Sequence, residues 1–403
     1  MVVLPFGEEK DGCGMIARHP LTVKGPMDQF PLFFSAWRTI QAGSREVIDA
    51  LVVPNPGRPS AEFTAFLASW PGAHYWADPG RTRLILVRPL EKDAPIGWTK
   101  HVVLFLLTAL FSLAAGAAMA GVWTPVDYPG FVVGFGQELL AFFQGLVAGD
   151  WRVFLVGWAF AVPSLGILLV HELGHYFVAR RYAIDVTPPY FIPVPPTISP
   201  IGSFGAFIRA RTPVLDRQQL ADVGAGGPLA GFVVAVAVLI WGYLTSERVP
   251  WEPGLTKSYV TFAGQVLTLG DSLLTHYLRE WLVPGDTAVR LSLPAFAGWV
   301  GCFLTGLNLL PLSQLDGGHI AYGFLGRRQG GLALVTVVAL LYLSQFSFNW
   351  VIWVAMAFLI GGGRLQHPPV ILPERSIFRH RAWLGLACLA VFVATFVPIP
   401  FAQ

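Results

Sequence analysis

Seven stretches of this chain are apolar over roughly the length needed to cross a bilayer, and nothing in the sequence constrains its fold more. They run at about 101–123, 153–179, 225–245, 294–313, 331–346, 348–363 and 383–400. A span needs about 20 apolar residues, with room for shorter or tilted ones. Hydrocarbon offers no water to backbone N–H and C=O groups, so such stretches must be helices that close their own hydrogen bonds. Composition agrees. Of 403 residues 54% are hydrophobic and only 13% charged, against about 25% charged in a soluble domain. The expected fold is an all-α polytopic membrane protein with about seven transmembrane helices. An eighth stretch, 131–147, carries Gln137, Glu138 and Gln144. It reads as interfacial or re-entrant.

The other segments add less. Residues 1–97 are polar and broken by Pro and Gly. SREVIDALVV and RTRLILVRPL within them read as short helix or strand pieces of a small α+β extramembrane domain, structural or docking in role. A net charge of +3 and scattered arginines exclude a nucleic-acid partner. Cys13, Cys302 and Cys388 lie far apart and form neither a disulfide framework nor a CxxC site. The start, MVVLPFGEEKDG, is acidic where a signal peptide needs a basic start, so the first apolar run is expected to remain in the mature protein. Arg180, Arg181, Arg209, Arg211 and Arg217 follow the second run. Arg327 and Arg328 follow the fourth, and Arg364, Arg375, Arg379 and Arg381 precede the last. With seven spans these groups share one side with the N-terminal domain, and arginine bias makes that side cytoplasmic. If 131–147 spans, the N-terminal domain moves to the opposite side and the arginines stay together.

Deep in the second run stands HELGH. It sets His171 and His175 four residues apart, one turn apart on one helix face. Both imidazoles can then reach one tetrahedral zinc, and Glu172 beside them can take a proton from water. Ionisable residues at membrane depth are expensive and mark function. Zinc needs a third protein ligand, and Asp316, ending the fourth apolar run in GLNLLPLSQLDGGH, is a better candidate than the later glutamates Glu247, Glu252, Glu280 and Glu374. His171 lies nine residues before Arg180, about 13 Å along a helix, and Asp316 eleven before Arg327, about 16 Å. Both sets sit at similar depth below one face; proximity in the plane does not follow. His319 reads as a supporting or structural residue rather than a ligand.

HELGH, GPLAG at 227–231 and NLLPLSQLDGG at 308–318 together resemble the site-2 proteases, intramembrane zinc metalloproteases. SQLDGGH and SFGAF are most similar to the cyanobacterial and plastid branch. The resemblance covers roughly 150–325. It implies one zinc per chain on His171, His175 and Asp316, Glu172 as general base, and Asn308 as a group holding substrate or oxyanion. The organisation expected is 1–97, an N-terminal cytoplasmic domain; 98–150, the first helix and the interfacial segment; 151–325, the catalytic core; and 326–403, C-terminal transmembrane helices.

Gly224, Gly227, Ala230 and Gly231 offer a small face for bracing the HELGH helix, and Pro228 suits a first turn. After the HELGH helix, a Pro-rich stretch leads to SFGAFIRAR, which reads as a strand with an exposed edge beside the site or as a plain surface hairpin. On the first reading an unwound substrate adds to that edge, and proline at Phe207 removes one ladder N–H and cuts turnover. The loop at 246–293 is too short for an ordinary PDZ domain, so substrate gating falls to the N-terminal domain or 131–147, while the three C-terminal spans wall or gate a water path. The function expected is zinc-dependent cleavage of a peptide bond within or near the transmembrane segment of a membrane protein. Weighed against it are a prenyl-protease-type zinc peptidase, which needs a glutamate third ligand, an inactive membrane-protein-binding scaffold, and a His/Glu proton-relay transporter without zinc. The expected home is a bacterial cytoplasmic membrane; substrate identity and oligomeric state are left open.

Overall fold

A computed structural model describes residues 30–402, apart from 43–44, 54–60, 78–79, 90–96, 123–135, 138–139, 142, 146, 148, 150, 183, 212–213, 215, 252–256, 286, 371–376 and 378. The proposed interfacial segment 131–147 therefore lies partly outside the described residues.

Residues 30–89 carry a core of their own. The turn α1 (Phe30–Phe33) leads into β1 (Phe34–Ala42), followed by β2 (Arg45–Val52), α2 (Ala61–Ser69), β3 (Ala73–Trp76) and β4 (Arg83–Pro89). The strands form an antiparallel sheet ordered β1-β2-β4-β3. SREVIDALVV and RTRLILVRPL become β2 and β4. Period-2 alternation buries Ile48, Ala50, Leu84 and Leu86 against Phe30, Phe34, Phe63, Phe66 and Trp70.

Three long unbroken helices follow: α3 (Trp98–Met119), α4 (Arg152–Arg181) and α5 (Arg217–Leu244). A hairpin of β5 (Tyr190–Pro193) and β6 (Ser203–Phe207) lies between α4 and α5. α5 starts eight residues before its apolar run because the Asp216 side chain caps it, accepting from the Gln219 N–H. Pro228 therefore stands inside the helix, not in its first turn. An interior proline forfeits a backbone bond, which neighbouring helices make tolerable in a membrane.

The segment after α5 corrects the all-α expectation. It holds β7 (Glu247–Pro250), β8 (Ser258–Phe262), β9 (Gln265–Leu269), helix α6 (Leu273–Leu282) and β10 (Thr287–Arg290). With β11 (Phe401–Ala402) they make a five-stranded sheet, β11-β9-β8-β10-β7. The cause is local. SYVTF and QVLTL are β-branched runs joined by Ala263 and Gly264, both at positive φ (50° and 80°), the geometry of a two-residue hairpin.

The remaining helices are α7 (Leu293–Asn308), α8 (Asp316–Leu325), α9 (Gln329–Leu343), α10 (Asn349–Ile360) and α11 (Ala382–Thr395). Each of the seven apolar runs thus contains a helix. Among the described residues four helical stretches are long and apolar enough to cross a membrane: α3, most of α4, α5, and α8 with α9 taken together. Their length and apolarity are those of an integral membrane protein. The chain turns between α8 and α9 at Gly326 (φ 58°). α7, α10 and α11 are shorter.

α5 is the central helix, packed on by α4, α7 and α8. The arginine-bearing ends lie together. Arg217, at the start of α5, donates to the carbonyls of Gly323 and Phe324 in α8. Asp222 accepts from the Tyr182 hydroxyl after α4 and pairs with Arg381 before α11 at 3.3 Å.

Candidate metal centre

HELGH lies on the inner face of α4, and helical spacing turns both imidazoles the same way. His171 Nε2 and His175 Nε2 are 3.1 Å apart. Asp316 Oδ2, from the first residue of α8, lies 3.2 Å from the first and 3.3 Å from the second. All three residues are buried, His175 completely. His175 Nδ1–H donates to the Val223 carbonyl at 2.7 Å, so its Nε2 is the bare nitrogen facing inward.

Several electron-rich atoms meeting in a dry interior are repulsive unless a cation or proton lies between them. Tetrahedral zinc with bonds of 2.0–2.1 Å separates its ligand atoms by about 3.3 Å. The observed triangle matches that spacing, so these residues fit the ion. Glu172 also belongs to the cluster, its carboxylate within 4.8 Å of both imidazole ligand atoms. It is 3% exposed, and its Oε2 has no hydrogen-bond partner among the described residues.

α5 supports the centre from behind. Cβ atoms added at Gly227 and Gly231 would lie 2.2 Å from His175 Nε2 and 3.0 Å from His171 Cβ. At Gly224, one would lie 2.9 Å from His319 Cβ and 3.2 Å from the Asp316 carbonyl. One small-residue stripe thus seats the HELGH helix and the Asp316 helix together. The bracing role read from GPLAG stands, and it reaches the Asp316 helix as well.

Asp316 does not end the fourth apolar run. α7 stops at Asn308, the chain turns through Leu309–Leu315 with Ser313 at φ 42°, and Asp316 opens a new helix. Gly317 and Gly318 allow that start, because a Cβ there would meet the Leu309 and Ser313 carbonyls at 2.0 and 2.2 Å. The turn is held by residues the sequence did not single out. Gln329, fully buried, donates to the Pro311 carbonyl and accepts from the His367 N–H, each at 3.0 Å. Ser313 N–H donates to Leu365. His319 turns away from the centre, its Nδ1 2.8 Å from His367 Nε2. A polar glutamine just past two arginines was the available signal for Gln329. For His367 there was none.

A cavity of about 300 Å³ opens beside the cluster. His171, Glu172, Asn308 and Asp316 line it, and Asn308 Nδ2 lies 3.5 Å from His171 Nε2. Phe204 to Phe207 of β6 form one wall and Trp353, Met356 and Ile360 of α10 another. Gln314, 3% exposed with its Oε1 unpartnered among the described residues, also faces it. The expectation that the C-terminal spans wall a water path is met here by α10, while Gln314 and the particular α10 side chains carried no sequence signal.

The hairpin is clamped from outside. His101 Nδ1 lies 3.0 Å from the Pro189 carbonyl, the rings of Phe105 and Phe191 meet edge to face, and Gly202 packs on the backbone of Phe111. α3 thus covers β5 and leaves β6 toward the cavity. Thr187 N–H donates to the Arg209 carbonyl, and Arg209 N–H donates to Thr187 Oγ1. Strand alternation then turns Phe207 N–H toward β5 and Ala206 N–H toward the other edge. Proline at Phe207 would break the hairpin itself, so the edge is probed at Ala206 instead.

Residues 159–351 match the model of peptidase family M50. The chain is similar to two proteins of Arabidopsis thaliana. One, named "Probable zinc metalloprotease EGY2, chloroplastic", is 32% identical over 60% of this chain and 41% of its own length. The other, "Probable zinc metalloprotease EGY1, chloroplastic", is 34% identical over 44% of this chain and 30% of its own. The EGY2 protein of Oryza sativa subsp. indica is 29% identical over 60% of this chain and 42% of its own. The chain thus spans less than half the length of the curated relatives it matches. No solved structure matches it.

Proposed function

We propose that this chain, which carries a peptidase family M50 domain over residues 159–351, is a zinc-dependent intramembrane endopeptidase. It cleaves membrane proteins within or near a transmembrane segment. The observation that carries this reading is the 3.1–3.3 Å triangle of His171, His175 and Asp316 at the wall of an apolar cavity, beside Glu172, whose Oε2 has no partner among the described residues. Asp316 at the third vertex favours it over a prenyl-protease-type site, which would set a glutamate there.

In this reading His171, His175 and Asp316 hold one zinc, which when bound supplies Lewis acidity to the scissile carbonyl and acidity to water. Glu172 takes a proton from the attacking water and hands it to the leaving amine. Asn308 directs its amide N–H at the developing oxyanion. β6 pairs with a substrate segment drawn out of helical form, since a peptide bond inside a helix is shielded by its own turn.

Seven crossings follow if α7 and α8 form one crossing broken at the site and α9, α10 and α11 each make another. Irregular backbone at membrane depth is tolerated where it lines a cavity. The arginine-bearing ends then face the cytoplasm, with the N-terminal domain and the site's opening on that side of a bacterial cytoplasmic membrane. Substrates are transmembrane proteins.

The test is zinc content after purification in detergent. Wild type and Glu172→Gln should each hold about one zinc per chain, while Asp316→Ala should hold it weakly. A folded wild type without zinc, or full affinity in Asp316→Ala, overturns the reading.

A further inference from the structure

α6, on the segment between α5 and α7, plays no part in the chemistry above. Its sequence is LLTHYLREWL. At about 100° per residue, Leu273, Tyr277 and Trp281 fall within one narrow arc, and they are 52%, 68% and 74% exposed. The opposite face is anchored. Thr275 and Arg279 are buried, and Arg279 pairs with Asp271 and donates to Ser258 Oγ of β8. Leu274, Leu278 and Leu282 face the main core, while His276 is exposed and Glu280 half-buried on the other flank of the arc. The helix is therefore fixed to the sheet with a large apolar stripe facing outward.

That stripe is not isolated. With Leu386, Leu389, Ala390, Val393 and Ala394 of α11 it lines an open corner of about 770 Å³. Every lining residue is aliphatic or is Tyr277 or Trp281. The α11 side of the corner is itself part of that helix's outward flank, where Leu386, Leu389 and Val393 are at least half exposed. α11 enters from the arginine-bearing end at Arg381, and the chain beyond it joins the sheet at β11. The corner thus lies toward the end of the bundle opposite the arginines.

We propose that α6 is an interfacial helix embedded in the leaflet opposite the arginine-bearing ends, and that its corner with α11 is filled by the acyl chain of a bilayer lipid. Three features select lipid as the occupant. The lining is apolar throughout, it takes in part of the outward flank of α11, and tyrosine and tryptophan sit where aromatic side chains favour the headgroup boundary. The sheet then rests on the membrane surface, tied to it through α6. The inference rests on the reading that α11 crosses the membrane.

Site-directed spin labelling in phosphatidylcholine vesicles tests both separately. Cys13, Cys302 and Cys388 are replaced by alanine, and single cysteines carrying a nitroxide are placed at Tyr277, Trp281, Leu389 and, as an aqueous reference, Glu62. Oxygen and a nickel chelate present on both sides compete as relaxing agents. Labels at Tyr277, Trp281 and Leu389 should all show an oxygen-to-nickel accessibility ratio several-fold above Glu62. A lipid-like Leu389 with water-like Tyr277 and Trp281 overturns this proposal alone. Labels at Tyr277 and Trp281 shielded from both agents mean that protein covers the stripe, which overturns it too. A water-like Leu389 removes α11 from the membrane and takes down the underlying reading with the inference.

Discussion

Gly227 has no side chain, and the imidazole of His175 occupies the space where one would be. The site depends on such absences. A methyl group at Gly227 would stand 2.2 Å from the very nitrogen that faces Asp316, and neither ring nor helix backbone can yield that distance without moving. Gly227→Ala should therefore leave a folded protein that holds zinc about 10- to 100-fold more weakly, the range seen when a ligand's support is disturbed. Competition with a graded chelator measures it, and unchanged affinity would mean the helices separate freely. Glu172 is the opposite kind of residue, its carboxylate Oε2 buried and without a partner among the described residues. Such a group is costly unless it has a task. Glu172→Gln should keep its metal and lose at least about a hundredfold in turnover of a reconstituted substrate. Near-normal turnover would assign the base elsewhere.

At the scale of elements, the hairpin and the Asp316 turn are each held by parts distant in sequence. α3 fixes β5, so β6 has one committed edge and one edge toward the cavity. Ala206→Pro should remove an outward N–H and lower turnover about fivefold, the worth of one hydrogen bond, with little change in melting temperature. Phe207→Pro should lower the melting temperature instead. Equal effects on both readouts for both variants would make β6 a structural hairpin only. The Asp316 turn leans on the loop after α10, where burial pushes the His367 imidazole down to about 4 from an ordinary 6.5. The folded chain holds this ring neutral where an unfolded chain would protonate it. Its share of stability is complete above pH 6.5 and is lost as the pH falls from 6.5 to 4, on the order of 3 kcal/mol in all. Detergent-solubilised protein should melt earlier at pH 5 than at pH 7.5, and His367→Gln should flatten that dependence. An equally steep dependence in the variant would place the titrating group elsewhere.

The whole molecule combines units of unequal dependence. Among the described residues the aromatic core of the N-terminal sheet draws on nothing beyond Leu86, whereas the bundle interleaves α4, α5, α7 and α8 around one centre. Removing residues 1–97 should therefore leave zinc content unchanged. A truncated protein that loses its metal would show that the N-terminal unit supports the bundle. The five-stranded sheet belongs to the bundle instead, because β11 comes from the end of the chain and pairs with β9. Joining the C-terminus to the middle of the sequence closes the fold on the face away from the arginines.

What could be read locally was read from local physics. Apolar runs gave the helices because hydrocarbon permits little else, HELGH set two imidazoles on one face because a helix repeats every 3.6 residues, and arginine positions grouped the helix ends. The hairpin of SYVTF and QVLTL about Ala263–Gly264 is legible in the same local way, whereas the length of 246–293, which excludes an ordinary PDZ domain, says nothing of it. Depth argued for Asp316, but not its place in the plane. The sequence separation of 145 between it and His171 carries no local rule for closing the gap. Packing closes it: α5 offers a stripe of glycines thin enough for two helices to rest on it at once. The same holds for the wall that α10 gives the cavity and for the edge that β6 leaves open. Each depends on which surfaces meet, and that is decided only when the whole chain buries its apolar faces together.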